Sequence, residues 1–115
     1  MFFTVFGYFL YMSDIQLPII ITKEDCHRCH ELKEWMKENE LPYVEKDIDD
    51  EEFVHQLLHD SNFVGMFCDE EGCIVNTPVV MYKGKYHFKK LWGIEGLRKK
   101  EAKNLFKDLF KLKKE

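Results

Sequence analysis

The sequence has no apolar run long enough to span a bilayer. Its longest, from Met1 to Met12, is a dozen residues, and a membrane-crossing helix needs about 20. The same stretch carries no basic n-region and no Ala-X-Ala-like cleavage site, so it does not read as a secretory leader. There is no surplus of positive charge. Lys and Arg number 17 against 21 Asp and Glu, and the net charge of −4 excludes a general nucleic-acid binder. No phosphate-binding loop and no catalytic pair of carboxylates can be recognised. What the chain does have is core-forming material. Hydrophobic residues make up 45% of it, and ten residues are Phe. At 115 residues that composition implies one packed domain rather than disorder. We expect a cytoplasmic protein with no membrane association.

Residues 1–17 read as an apolar N-terminal extension and 18–115 as the domain proper. Met12-Ser13-Asp14 resembles a second start, and an extra strand or a partner-covered patch is the competing view of the extension. Charge is unevenly spread. Glu45 to Glu71 is strongly acidic, whereas Arg98, Lys99, Lys100, Lys103, Lys107, Lys111, Lys113 and Lys114 make the end basic. Two solvated faces explain this, and a docking surface for a charged partner protein is the alternative.

The chemistry gathers in residues 18–31. A β-branched run, Ile19 to Thr22, stops at a charged turn, and Cys26-His27-Arg28-Cys29 then opens a helical stretch through Leu32, Trp35 and Met36. Cys26 therefore falls at a helix N-terminus, where free amides and the macrodipole favour an anion. Thiolate is such an anion and is the reactive form of cysteine. Arg28, Lys23 and a protonated His27 would reinforce it, while Glu24 and Asp25 oppose it. Cys29, one turn along, is within reach of a disulfide with Cys26.

The remaining pattern supplies a scaffold. A helix is expected to about Asn39, then an alternating strand over 43–48. Asp49 or Asp50 caps a second helix, with Phe53, Leu57 and Leu58 inward, ending near Asp60-Ser61-Asn62. Phe63 to Val75 reads as a β-hairpin around the polar turn Cys68-Asp69-Glu70-Glu71-Gly72-Cys73. Val79 to Tyr82 forms a strand directly after Pro78, Lys83-Gly84-Lys85 a tight turn, and 86–89 the returning strand. Gly93 and Gly96 bracket the start of one last helix, with Ala102, Leu105, Phe106, Leu109 and Phe110 inward. A strand–helix–strand unit followed by antiparallel strands makes a mixed α/β sheet, and a Cys-X-X-Cys beside such a unit reads as a thioredoxin-like redox motif.

From about Pro18 to Leu109 the chain resembles a glutaredoxin, a small member of the thioredoxin fold. The resemblance rests on Thr22-Lys23-Glu24-Asp25-Cys26-His27-Arg28-Cys29, on Thr77-Pro78-Val79-Val80, on the Lys83-Gly84-Lys85 turn and on Gly93. It implies a four-stranded mixed sheet flanked by about three helices, with the Cys-flanked hairpin inserted before a cis-Pro strand. It further implies a thiol–disulfide oxidoreductase with Cys26 as nucleophile, Cys29 as resolving thiol and a cis Thr77–Pro78 bond beside them. Lys23, Thr77, Pro78, Gly93 and Glu95 would then contact the substrate. Disulfide-containing proteins would be its partners, with glutathione or a thioredoxin reductase as electron donor and no bound cofactor. This chain departs from the family in three places. Cys-Pro-Tyr-Cys is Cys-His-Arg-Cys here, the Gly-Gly followed by Asp or Ser that holds glutathione is Trp92-Gly93-Ile94-Glu95, and the Cys68/Cys73 segment is additional.

Three other readings compete. Cys26, Cys29, Cys68 and Cys73 could together hold zinc or an iron–sulfur cluster. Cys26 to His30 also matches the haem-attachment pattern, with His55, His59, Met66 or Met81 as second axial ligand, although no export signal accompanies it. A non-enzymatic interaction module on the same fold is the third. For Cys68/Cys73 alone, a structural pair closing a hairpin and a second, regulatory redox pair stand level.

Overall fold

The three consecutive isoleucines at 19–21 are too β-branched for a helix and too apolar for a surface strand, and they form the centre of the sheet. The computed structural model describes residues 17–113, so the apolar extension assigned to 1–17 lies, but for Leu17, outside the described residues. Strand β1 (Ile19–Thr22) pairs in parallel with β2 (Val44–Asp47) and antiparallel with β5 (Val79–Tyr82), which pairs antiparallel with β6 (Lys85–His87). The sheet order is β2-β1-β5-β6. Helix α1 (His27–Glu38) makes the crossover from β1 to β2. Helices α2 (Glu51–Leu58) and α3 (Ser61–Phe67) follow, then the small hairpin of β3 (Cys68–Asp69) and β4 (Gly72–Cys73). After β6 comes a 3₁₀ turn (Lys89–Leu91), a second hairpin of β7 (Trp92–Gly93) and β8 (Gly96–Leu97), and helices α4 (Lys99–Leu105) and α5 (Lys107–Lys113).

Strand alternation divides the core in two. Ile20, Val80 and Tyr82 point to one face, where Leu32, Trp35 and Met36 of α1 meet Ala102, Phe106 and Leu109. Ile21 and Val79 point to the other, against Phe53 and Leu57 of α2, Phe63 of α3 and Tyr86. Ile20, Ile21, Val79 and Val80 are all fully buried. Turn chemistry agrees with the register. Lys83 and Gly84 both have positive φ (52° and 76°), the two-residue turn whose twist suits a hairpin.

Two regions differ from the sequence expectation. Residues 61–67 form a helix, not the first strand of a long hairpin. Asp60 caps it, its carboxylate accepting from Asn62 N at 2.9 Å, and Phe63 and Phe67, four apart, stack at 4.9 Å and turn to the core together. The hairpin shrinks to two residue pairs, Cys68 with Cys73 and Asp69 with Gly72. The last helix is also in two pieces. It breaks at Phe106, which is fully buried between Trp35 (centroids 6.2 Å apart) and Tyr82 (5.6 Å). No Gly or Pro marks that break, so packing sets it rather than propensity. Gly93 and Gly96 accordingly pair across a hairpin, on either side of its turn, and the helix begins beyond them at Lys99.

Phe63 is 1% exposed, and its ring centroid lies 5.4 Å from that of Tyr86. Phe63→Ala should lower stability by about 3–5 kcal/mol, read from denaturant midpoints. Tyr86 in turn donates its hydroxyl to Asp60 Oδ2 at 2.7 Å. That bond, with the Asn62 amide, holds the Asp60 carboxyl below its usual range, while burial and the Asp60 carboxylate push the Tyr86 phenol up. Asp60 thus contributes stability above the ordinary carboxylate range, lost as pH falls through its lowered pKa. Tyr86 contributes stability below the ordinary tyrosine range, lost as pH rises beyond it. Melting temperatures across pH should show both the alkaline and the acid loss shrink in Tyr86→Phe.

Candidate active site

The turn that delivers Cys26 is built from residue 25 onward. Asp25 takes a left-handed conformation, φ 58°, one that Asp tolerates better than most residues. Cys26 is then extended (φ −104°, ψ 107°) and serves as N-cap of α1. Its sulfur accepts the Cys29 amide at 3.0 Å, which satisfies one of the free donors of the first turn. The Thr77 hydroxyl donates to the same sulfur at 3.3 Å, and the Thr77 carbonyl oxygen lies 3.6 Å from it. The Thr77–Pro78 peptide is cis. Cys26 and Cys29 are joined as a disulfide with Cα atoms 5.2 Å apart. Their environments differ. Cys26 is half-buried, whereas Cys29 is 2% exposed.

A groove of about 840 Å³ opens at Cys26, lined by Thr22, Lys23, Asp25, His27, Lys33 and Glu45 among others. Three of its residues are linked. Glu45 Oε2 accepts from Thr22 Oγ1 at 2.9 Å and from Lys33 Nζ at 3.0 Å. Partial burial would raise the Glu45 pKa, but the Lys33 and Thr22 hydrogen bonds outweigh it and hold the carboxyl below its usual range. The sequence signal for this network existed. Lys33 lies seven residues after Cys26, on the same helical face, and the register sets Glu45 beside Ile20 and Asp47 beside Thr22. The helix's own apolar pattern, Leu32, Trp35 and Met36, gives Lys33 no part.

The remaining candidate residues fall in separate places. Gly93 and Glu95 sit on the β7–β8 hairpin and do not line the Cys26 groove. That hairpin is held to α1 from two sides. The Arg28 guanidinium lies 5.5 Å from the Trp92 ring centre and 6.0 Å from that of Phe88, within cation–π range. Glu31 Oε2 accepts the Leu97 amide at 2.9 Å, and a Cβ at Gly96, whose φ is +115°, would lie 2.7 Å from the same oxygen. Glu31 had no distinguishing sequence signal. Cys68 and Cys73 form their own disulfide, and Cys68 packs against the core face opposite α1. Among the described residues, no three His, Cys, Asp or Glu side chains gather at metal-holding distance. A tetrathiolate site would require both disulfides to open. His59 Nδ1 lies 2.8 Å from the His55 carbonyl oxygen, and His30 pairs with Glu34 at 3.4 Å.

A cysteine pair at a helix N-terminus, beside a cis X-Pro bond at one end of a mixed four-stranded sheet, fits a thioredoxin-like α/β fold. Solved structures agree. The thioredoxin-like protein BC3987 is 24% identical, with a TM-score of 0.51 over 76% of this chain and 97% of that chain. A mutant of that protein gives 22% identity and a TM-score of 0.52, over 77% and 97%. The glutaredoxin family model matches residues 19–87, more than half of the sequence, and the chain belongs to that family of thiol–disulfide oxidoreductases. No curated protein matches it in a sequence comparison. No helix among the described residues is long and apolar enough to cross a membrane.

Once the disulfide is reduced, the Thr77 hydroxyl and the Cys29 amide are placed to stabilise a thiolate on the Cys26 sulfur. Losing one hydrogen bond to an ionised group costs about 1.5 kcal/mol. Thr77→Val should therefore move the pH midpoint for alkylation of reduced Cys26 upward by about one unit. Thr77→Ser, which keeps the hydroxyl, should leave the midpoint where it is in the wild type.

Proposed function

We propose that the protein reduces disulfides of other proteins through Cys26 and Cys29. The carrying observation is the asymmetry of the pair. Cys26 is reachable and its sulfur is held by the Cys29 amide and the Thr77 hydroxyl, while Cys29 is 2% exposed. In the reduced state the Cys26 thiolate attacks one sulfur of a substrate disulfide. The substrate S–S bond breaks, its departing sulfur takes a proton, and a Cys26–substrate disulfide forms. Cys29 then loses its proton and attacks the Cys26 sulfur, expelling the second substrate thiol. The Cys26–Cys29 disulfide is the product of this step. Lys23 in the groove and the Thr77-Pro78 segment beside Cys26 are placed to meet the substrate chain.

Two electrons must then return to the pair, and a protein reductase of the thioredoxin reductase kind is the better-supported donor. The Leu97 amide of the β7–β8 hairpin is already taken by Glu31, and Glu95 is exposed on the same hairpin. Two carboxylates there oppose the glutamyl carboxylate of glutathione. Gly93 remains the nearest counterpart of the family's glutathione-binding glycines, with the Arg98 side chain lying over it.

Cys26→Ser should abolish disulfide reduction, and Cys29→Ser should accumulate mixed disulfides with protein substrates, resolved by non-reducing electrophoresis. Retained dithiol reductase activity in Cys26→Ser would sink the assignment. Parallel assays with thioredoxin reductase, and with glutathione plus its reductase, should show turnover in the first. Saturable turnover with glutathione would reverse the choice of donor. Absence of turnover with either would favour a binding module.

A further inference from the structure

The β3–β4 hairpin takes no part in the chemistry at Cys26, yet it carries a second disulfide. Cys68 and Cys73 are directly opposite, and the Ile74 amide donates to the Phe67 carbonyl at 2.9 Å just outside them. That places the cysteines at a non-hydrogen-bonded pair, where antiparallel strands come closest, and their Cα atoms are 3.9 Å apart. Access is one-sided. Cys68 is half-buried against the core cluster under α2 and α3, while Cys73 and the whole turn from Asp69 to Gly72 are exposed. Exposed disulfides are the ones open to exchange.

The hairpin has little else to hold it. Two residue pairs and one further backbone bond make its ladder, and an isolated two-stranded hairpin is marginal in water. Its second strand runs straight to the active site. Ile74 is 74% exposed, Val75 packs on the core, Asn76 is exposed, and Thr77 donates to the Cys26 sulfur. Four residues span at most about 14 Å. A hairpin released at Cys73 and the Thr77 contact thus share one short tether, residues 74–76.

We propose that Cys68 and Cys73 form a second thiol–disulfide site, reduced by a dithiol reductant, whose state sets the reactivity of Cys26 through residues 74–77. Reduction transfers two electrons and two protons from the reductant. The Cys68–Cys73 bond breaks, both sulfurs become thiols, and the reductant leaves as its own disulfide. The hairpin loosens, and the Thr77 hydroxyl loses its fixed position at Cys26. The proposal deepens the oxidoreductase reading and rests on Cys26 being the reactive thiol.

The first arm uses Cys26→Ser/Cys29→Ser, which isolates the second pair. Hydrogen exchange of the Ile74 amide, which donates to the Phe67 carbonyl, is compared with Cys68–Cys73 oxidised and after reduction by dithiothreitol. At least tenfold faster exchange on reduction is expected; unchanged exchange, or a pair that resists dithiothreitol until the fold melts, overturns the proposal. The second arm uses Cys68→Ser/Cys73→Ser and equilibrates Cys26–Cys29 against dithiothreitol. A tenfold change in the equilibrium constant, about 30 mV for a two-electron couple, is expected, and no change overturns the proposal. The exchange arm involves no turnover. If it responds while the wild-type protein reduces no substrate, the catalytic reading fails and the second site stands. If turnover is normal and neither arm responds, the reverse holds.

Discussion

The site depends on one meeting of chain segments 51 residues apart, the Cys26 sulfur with the Thr77 hydroxyl. Neither residue reaches the other by local geometry. They meet because β1 and β5 are neighbours in register, with Ile21 opposite Val79, so that the residues following β1 and those preceding β5 emerge at the same end of the sheet. The pairing is fixed in turn by burial on both faces. A slip of one residue would move Ile20 and Val80 out of the α1 cluster and into the α2–α3 cluster. The position of one sulfur is thus specified by the packing of the whole domain.

Much of this was legible in sequence because it rests on short-range patterns. The isoleucine run, the Cys-X-X-Cys at a helix start, the Asp50 cap and the Lys83-Gly84 turn are each decided within a few residues. The features that escaped are decided by tertiary neighbours. Phe63, Val64, Met66 and Phe67 suit a strand as well as a helix, and only the Asp60 cap and the shared burial of Phe63 and Phe67 select the helix. The interruption at Phe106 answers to Trp35 and Tyr82, which lie far away in sequence. Glu31 is one carboxylate among several on an exposed-looking helix until the β8 backbone arrives beside it.

The two faces of the sheet bear different burdens. One carries α1 and the split C-terminal helix and presents Cys26 with its linked Thr22–Glu45–Lys33 groove. The other carries α2 and α3 and, at their end, the Cys68–Cys73 hairpin. The sheet stands between them. Residues 74–76 join the second disulfide to Thr77, whose hydroxyl meets the first at the Cys26 sulfur.

The outermost strands bear on how such a protein survives its own chemistry. β2 is an edge of the four-stranded sheet and offers Val44, Glu45, Lys46 and Asp47, all exposed and three of them charged. The opposite edge, β6, is three residues long and begins with Lys85. Short, charged edges make poor templates for another strand. Thiol exchange brings foreign, partly unfolded chains into covalent contact, the circumstance in which open sheet edges would seed aggregation. Under the proposed function, the described sheet margins discourage that growth while a substrate chain is held at Cys26.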